Sequence, residues 1–236
     1  MSTLGAVVFS IRGMKHLSEC LESVRWVDEV VVRHLDQEAA EGGQYSGQVG
    51  TDWVLHLWGE ERVGAELREE LHQIRRAELQ AEPTSYLIPI RSHLLGRWVK
   101  GSLWDPASSP RLRRQVEEPP FGGWSPASKN SWGTTGLLRG WIEDYSCSEL
   151  RDGVDRVNSV SSLWAERLRS EGPRLSNVAM TVYPLRVLMR HLFIDGLFRE
   201  GLAGLSLSAL AAYVTLASAM KLWEARQSGS RVKGFS

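Results

Sequence analysis

The sequence predicts an α/β fold: a mostly parallel central sheet flanked by helices, followed by a helical C-terminal appendage. Three observations carry this. Strand, helix and strand patterns follow one another between Ala6 and Val32, the spacing of a βαβ unit with a right-handed connection and a parallel sheet. A third apolar run, "WVLHL", is followed at once by a helical pattern, and beyond about residue 146 the chain turns helical.

Each element has its own signal. Ala6 to Ile11 is an uninterrupted apolar run suited to a buried strand. Leu17, Leu21 and Val24 recur at helical spacing, and "EVVV", Glu29 to Val32, supplies the second strand. The segment "EAAEGGQYSGQVG" is a loop by its glycine and small polar content. After "WVLHL", Leu67, Leu71 and Ile74 share one face of a helix expected over Ala65 to Leu79, with "REE" and "RR" solvated. "SYLIPIR" reads as one strand. "LWDPASSPRLRRQVEEPPFGGWSPASKN" reads as loops and hairpins over a cleft.

Further on, Leu150, Val154, Val157, Val160 and Leu163 are spaced by three and four, which predicts a helix with those residues inward. The run Gly201 to Met220 carries no charge and is long enough to cross a bilayer. Its Gly, Ala, Ser and Thr content and the rough stripe of Leu202, Leu205, Leu210, Tyr213, Leu216 and Met220 also suit a helix on a membrane surface, against a partner, or in a core. Arg186, Arg190 and Arg199 before it, and Lys221 and Arg226 after it, would suit anionic headgroups or ordinary helix ends. The division expected is 1–145 for the α/β domain and 146–236 for the helical region.

The bulk numbers narrow the function classes. Lysine plus arginine (28) equals aspartate plus glutamate (28) over 236 residues, so no global field draws the chain to nucleic acid. Cys20 and Cys147 are too few for a disulfide framework and lack zinc-like spacing, which suits a reducing compartment. "MSTLGAVVFSIRGMK" has no basic region before its apolar run and reads as a first strand, so a cytoplasmic chain is expected.

Five runs occur in the order of one family: "CLESVRWVDEVVV", "DWVLHLWGEERVGAELREEL", "YLIPIRSHLLGRWVKGSLWDP", "RLRR" and "LFIDGLFREGLAGLSLSALAAYVTLASAMKLWE". Together they resemble bacterial family 2 glycosyltransferases, in particular small inverting enzymes similar to lipopolysaccharide-core glucosyltransferases. The resemblance spans Ala6 to Glu224, and its most specific parts are "LLGRW", with the Trp and Pro after it, and the "DG...GL...KLWE" tail. It implies a GT-A fold whose Rossmann-like half binds a nucleotide sugar and a divalent metal, Mn or Mg. It also implies peripheral work at the inner face of the cytoplasmic membrane.

Glycosyl transfer from a nucleoside diphosphate needs positive charge against the leaving group, and a hard cation is held by carboxylate oxygens. Where the family carries Asp-Ala-Asp-Glu, this sequence has Trp58, Gly59, Glu60 and Glu61. Arg12 stands at the family's nucleotide-binding asparagine, and His34, or alternatively Asp36, at its uridine-binding aspartate. The phosphate-approaching Gln-Arg-Asn is replaced by "GGQYSGQVG". Arg111 and Arg114 match two family arginines that would approach a diphosphate or an acceptor phosphate. The late metal-holding histidine aligns near Asp144, with Glu143 as the alternative, and Val-His-Glu corresponds to "GGWSPAS". Glu117, Glu118 and Glu143 are the candidates for an acceptor-activating base.

Each group also has a plain reading. Glu60 and Glu61 precede a helix and would favour its positive end or cap its amides, as an alternative to a metal site built from Glu60 and Asp144. His34 suits a solvated strand end, Arg111 and Arg114 a solvated loop. Trp58 would fill diphosphate space or stack on a base, while Trp53, Trp98 and Trp223 are expected to be structural. The expectation is therefore a glycosyltransferase-like binding or scaffold subunit of cell-surface glycan assembly with an eroded donor site, docked through its C-terminal helices on a membrane, a protein partner or a second copy. The alternative is an active inverting transferase passing a sugar from a nucleotide donor to a lipopolysaccharide or other glycan acceptor.

Overall fold

The computed structural model describes residues 1–35, 49–76, 83–101, 110–114, 134–170 and 177–232. The chain divides into two compact units, Met1–Ser146 and Cys147–Ser236.

The first unit is a mixed α/β structure. Its described residues form a six-stranded sheet in the order β2-β1-β3-β8-β5-β9 and a four-stranded sheet in the order β4-β10-β6-β7. The strands are β1 Leu4–Ser10, β2 Glu29–His34, β3 Trp53–Trp58, β4 Glu61–Val63, β5 Ser85–Leu87, β6 Ile90–Leu94, β7 Arg97–Lys100, β8 Leu112–Arg114, β9 Thr135–Leu137 and β10 Ile142–Asp144. β1 pairs in parallel with both β2 and β3, as the βαβ pattern requires, whereas β8 runs antiparallel to β3 and β5. Every residue of β1 is buried, which is why its sequence is apolar without alternation.

Among the described residues two helices, α1 Leu17–Ser23 and α2 Ala65–Arg76, belong to this unit. Leu67 and Leu71 of α2 enter a core with Leu4, Val8, Leu55, Leu57 and Ile142, and Ile74 packs at its margin. Asp28 ties the end of α2 to the sheet: its Oδ2 accepts from Leu4 N at 2.7 Å and both its oxygens accept from Arg75 Nη2. At the other end of α2's contact surface, Gly140 lies so close to the Leu67 backbone that a Cβ has no room, and Glu70 accepts from the N–H groups of Arg139 and Gly140.

Two local expectations are corrected. "SYLIPIR" is not one strand but two, β5 and β6, which enter different sheets on either side of Ile88 and Pro89. Proline has no N–H to give a ladder, so the chain changes sheets there. The junction after β3 holds a further strand, β4, so Glu61 lies in a strand that precedes α2 and does not cap it. Most of the glycine-rich loop and of the proline-rich middle region lies outside the described residues.

The second unit is helical: α3 Leu150–Ser170, α4 Asn177–Met189 running into a π turn over Arg190–Ile194, a 3-10 turn at Leu197–Glu200, and α5 Gly201–Val232. In α3 the inward residues are Val157 and Val160, with Leu163 half-buried; Leu150 and Val154, expected inward, are exposed. The inner face of α5 is small and polar as much as apolar. Ser208, Thr215 and Ser218 are buried there and donate to the carbonyls of Gly204, Ala211 and Val214, one turn back, at 2.7 to 2.9 Å. Leu210, which the sequence placed in one stripe with Leu202, Leu205, Tyr213, Leu216 and Met220, lies on this inner face, while the other five are exposed. Lys221 Nζ donates to Asn158 O, Asn158 Oδ1, Ser161 Oγ and Ser162 Oγ, tying α5 to α3.

Candidate functional site

Parallel pairing puts the carboxyl ends of β1, β2 and β3 on one edge of the sheet, where α/β folds receive ligands. Arg12 follows β1 and is exposed, His34 ends β2 and is exposed, and Trp58 ends β3 with Glu60 just beyond. These four sequence-predicted residues therefore share the edge. Arg114 does not. It pairs in register with Trp53 at the opposite end of β3, half-buried, with its guanidinium 5.3 Å from the Trp53 ring. Asp36, Glu117 and Glu118 lie outside the described residues.

Trp58 is a buried residue, packed at 6.0 Å from the Phe9 ring, and its N–H donates to Glu61 Oε2 at 2.8 Å. Its carbonyl accepts from Cys20 Sγ at 3.4 Å. Burial, and next the negative charge of Glu61, push the Cys20 thiol up to about 12. The Trp58 ring is thus core, in the place where the resemblance puts a metal-holding aspartate.

The acidic groups beyond it are occupied by the protein itself. Arg111 enters from the start of β8, and its Nη2 and Nη1 donate to Glu61 Oε1 and Oε2 at 2.7 and 3.2 Å. The arginine is 5% exposed and the glutamate 0%, so this bidentate pair is closed to water. Arg111 Nη1 also donates to the carbonyl of His56. His56 is half-buried and stacks on Phe9 at 6.0 Å; burial first, then Arg113 and Arg111, bring its imidazole down to about 3.

Asp144 ends β10 opposite Glu61 in the antiparallel ladder, so the two side chains lie on one face. Its Oδ2 accepts from Ser92 Oγ and its Oδ1 from Ser146 N, each at 2.9 Å. Glu60 is buried; its Oε1 accepts from Lys15 N at 3.3 Å and its carbonyl from Tyr145 N at 3.0 Å. The strands therefore bring Glu60 and Asp144 into one neighbourhood, where both Asp144 side-chain oxygens and Glu60 Oε1 accept from protein donors. Among the described residues no group of three His, Cys, Asp or Glu is placed to hold a metal ion.

Beside Glu60 is an aromatic cluster that no local pattern in the sequence signals. Tyr145 lies 5.3 to 5.9 Å from Trp98, His93 and His16, with the Arg62 guanidinium 4.2 Å from its ring. Its hydroxyl donates to Glu143 at 3.2 Å; burial, then the charge of Glu143, raises its pKa and keeps it protonated. Glu143 is thereby partnered. Trp98 is 41% exposed and Trp223 51%, whereas Trp53 is buried in the core.

Comparison with known proteins adds distant structural likenesses. No protein-family model and no curated protein matches the chain. Two solved structures of TarS from S. aureus, a family 2 glycosyltransferase, are similar to it. For the 1-349 segment the TM-score is 0.41 at 13% identity, covering 96% of this chain and 92% of that one. For the other the TM-score is 0.39 at 10% identity, covering 93% of this chain and 54% of that one.

Proposed function

We propose that this protein is a glycosyltransferase-like, non-catalytic binding or scaffold subunit in the assembly of cell-surface glycans, working in the cytoplasm at the inner membrane face. The reading combines the ordered sequence resemblance with one observation at the sheet's carboxyl edge. There the buried Arg111–Glu61 pair consumes both the cation and the carboxylate that a donor diphosphate and its metal would need. Trp58 fills the adjacent space, and the charges of Arg111 and Glu61 neutralise each other.

Calorimetric titration with UDP and several UDP-sugars, with and without manganese, tests this. The expected result is no saturable binding. Metal-dependent binding that is lost in Glu60→Ala and Asp144→Ala overturns it in favour of an active inverting transferase acting on a lipopolysaccharide or other glycan acceptor. The observation favouring that second reading is the convergence of Arg12, His34 and Glu60 on one edge, with Asp144 close to Glu60 through the Tyr145 N to Glu60 O bond.

A further inference from the structure

We propose that the outer face of α4 and α5 seats on an anionic lipid bilayer, with both helices lying along its surface. Large apolar side chains are exposed on both helices, while the inner face of α5 mixes Leu207, Leu210, Val214 and Leu222 with small and hydroxylated residues. On α5, Leu202, Leu205, Tyr213, Leu216, Met220 and Trp223 are exposed, and their spacing in threes, fours and eight keeps them on one side. That row spans 22 residues, Leu202 to Trp223, about 32 Å of helix. The face turned to the protein holds the buried hydroxyls of Ser208, Thr215 and Ser218, each satisfied by its own helix. Small and hydroxylated residues between helices, with large apolar ones outward, are the arrangement of helices that pack in contact with lipid.

The apolar surface is wider than one helix. Val182, Leu185 and Met189 are exposed at spacings of three and four on α4, and the row continues to Phe193 in the π turn. The Phe193 ring lies 6.3 Å from Phe198, which joins this row to the start of α5. A second copy of the chain would need only a narrow seam of a and d positions; a surface spread over two helices and two turns suits a planar medium. Its border is basic. Arg186, Arg190 and Arg199 are exposed beside the apolar rows, against Asp195 and Glu200. Tyr213 and Trp223 are the residue types that settle at the headgroup level.

By length and composition Leu197–Gln227 would also cross a bilayer. The neighbouring α3 argues for lying along it. That helix packs on α5 through Lys221 and exposes Arg151, Asp155, Glu166 and Arg169, which a crossing would carry toward hydrocarbon at high cost. An in-plane pose leaves those charges in water and buries only the apolar rows.

Vesicle flotation with the full-length protein tests the proposal, using phosphatidylcholine alone and phosphatidylcholine mixed with phosphatidylglycerol. The wild type should float with the mixed vesicles. Leu205→Glu/Leu216→Glu/Met220→Glu should lower partitioning by about a hundredfold or more. Arg186→Gln/Arg190→Gln/Arg199→Gln should lose about fivefold per arginine on anionic vesicles and little on neutral ones. Circular dichroism checks that the helices persist in both. A probe independent of those variants is an environment-sensitive dye on Leu216→Cys, the native Cys20 and Cys147 being buried; its emission should shift to the blue on adding anionic vesicles. An unshifted dye, or flotation indifferent to the glutamates, overturns the proposal. So does a dimer seen by light scattering that the glutamates dissolve while vesicles recruit nothing, which would assign the face to a second copy.

Discussion

Replacing Arg111 by alanine removes one half of a buried ion pair and leaves the other half in place. Glu61 keeps the Trp58 N–H at 2.8 Å but loses both guanidinium donors, at 2.7 and 3.2 Å, in a position with no solvent exposure. Breaking a buried pair from one side costs about 3–5 kcal/mol, because the remaining charge is neither solvated nor neutralised. Against a whole-domain stability of about 5–15 kcal/mol, that is a large share.

The companion variant separates charge from packing. Arg111→Met/Glu61→Gln removes both charges, keeps comparable volume and leaves an amide oxygen to accept from Trp58 N, so it should recover to within about 2 kcal/mol of the wild type. Urea unfolding followed by amide exchange in β1 and β3 reads the first unit separately from the helical one. A loss below about 1 kcal/mol in Arg111→Ala would be the value of a solvated surface pair. That result would refute the reasoning, because Arg111 would then be able to leave Glu61 and meet a phosphate.

Other consequences are checked as directly. His56 is held neutral down to about pH 3, while in the unfolded chain it protonates near 6.5, so the unfolded state binds the extra proton between those values. Stability should therefore fall as pH drops through that window, by up to about 1.4 kcal/mol per unit, and His56→Leu should flatten the slope in urea titrations at successive pH values. Cys20 and Cys147 are both buried, and Cys20 has its pKa pushed up to about 12, so neither should react with iodoacetamide in the folded protein at pH 8; mass spectrometry should find both labelled only after unfolding. Gly140→Ala drives a methyl into the Leu67 backbone and displaces two N–H groups from Glu70, and should lower first-unit stability by about 1–3 kcal/mol or more in thermal melts.

Periodicity made the first βαβ unit legible, because β1 is apolar without alternation and α2 buries Leu67 and Leu71 at one turn's spacing. It failed where short elements depend on distant partners. β4 has three residues and exists through its ladder with β10, some eighty positions away in sequence. The site was legible only in its positions. Arg12, His34, Trp58 and Glu60 follow from the parallel edge, but the pairing of Arg111 with Glu61 joins residues fifty positions apart and has no local signature. The same holds for Tyr145 and its ring neighbours. In α5 the rough stripe was visible, yet which side faces the protein was not, since Leu207 and Leu210 on the inner face look like Leu205 and Leu216 on the outer one. The buried serines and threonine help distinguish the faces, and hydroxyl groups do so by bonding to their own helix.

The Arg111–Glu61 pair also bears on how a donor site of the kind the resemblance implies could be built here. Removing Arg111 would free a carboxylate beside Asp144, but it would first strand Glu61 without solvent, at the cost worked out above. Placing an acid at Trp58 alone would put a charge in a buried position already surrounded by Phe9, Cys20 and the Glu61 carboxylate. Like charges that close disfavour one another, so neither change helps without the other. The pair and the tryptophan therefore stabilise each other's presence: each makes the arrangement implied by the resemblance inaccessible to a single substitution.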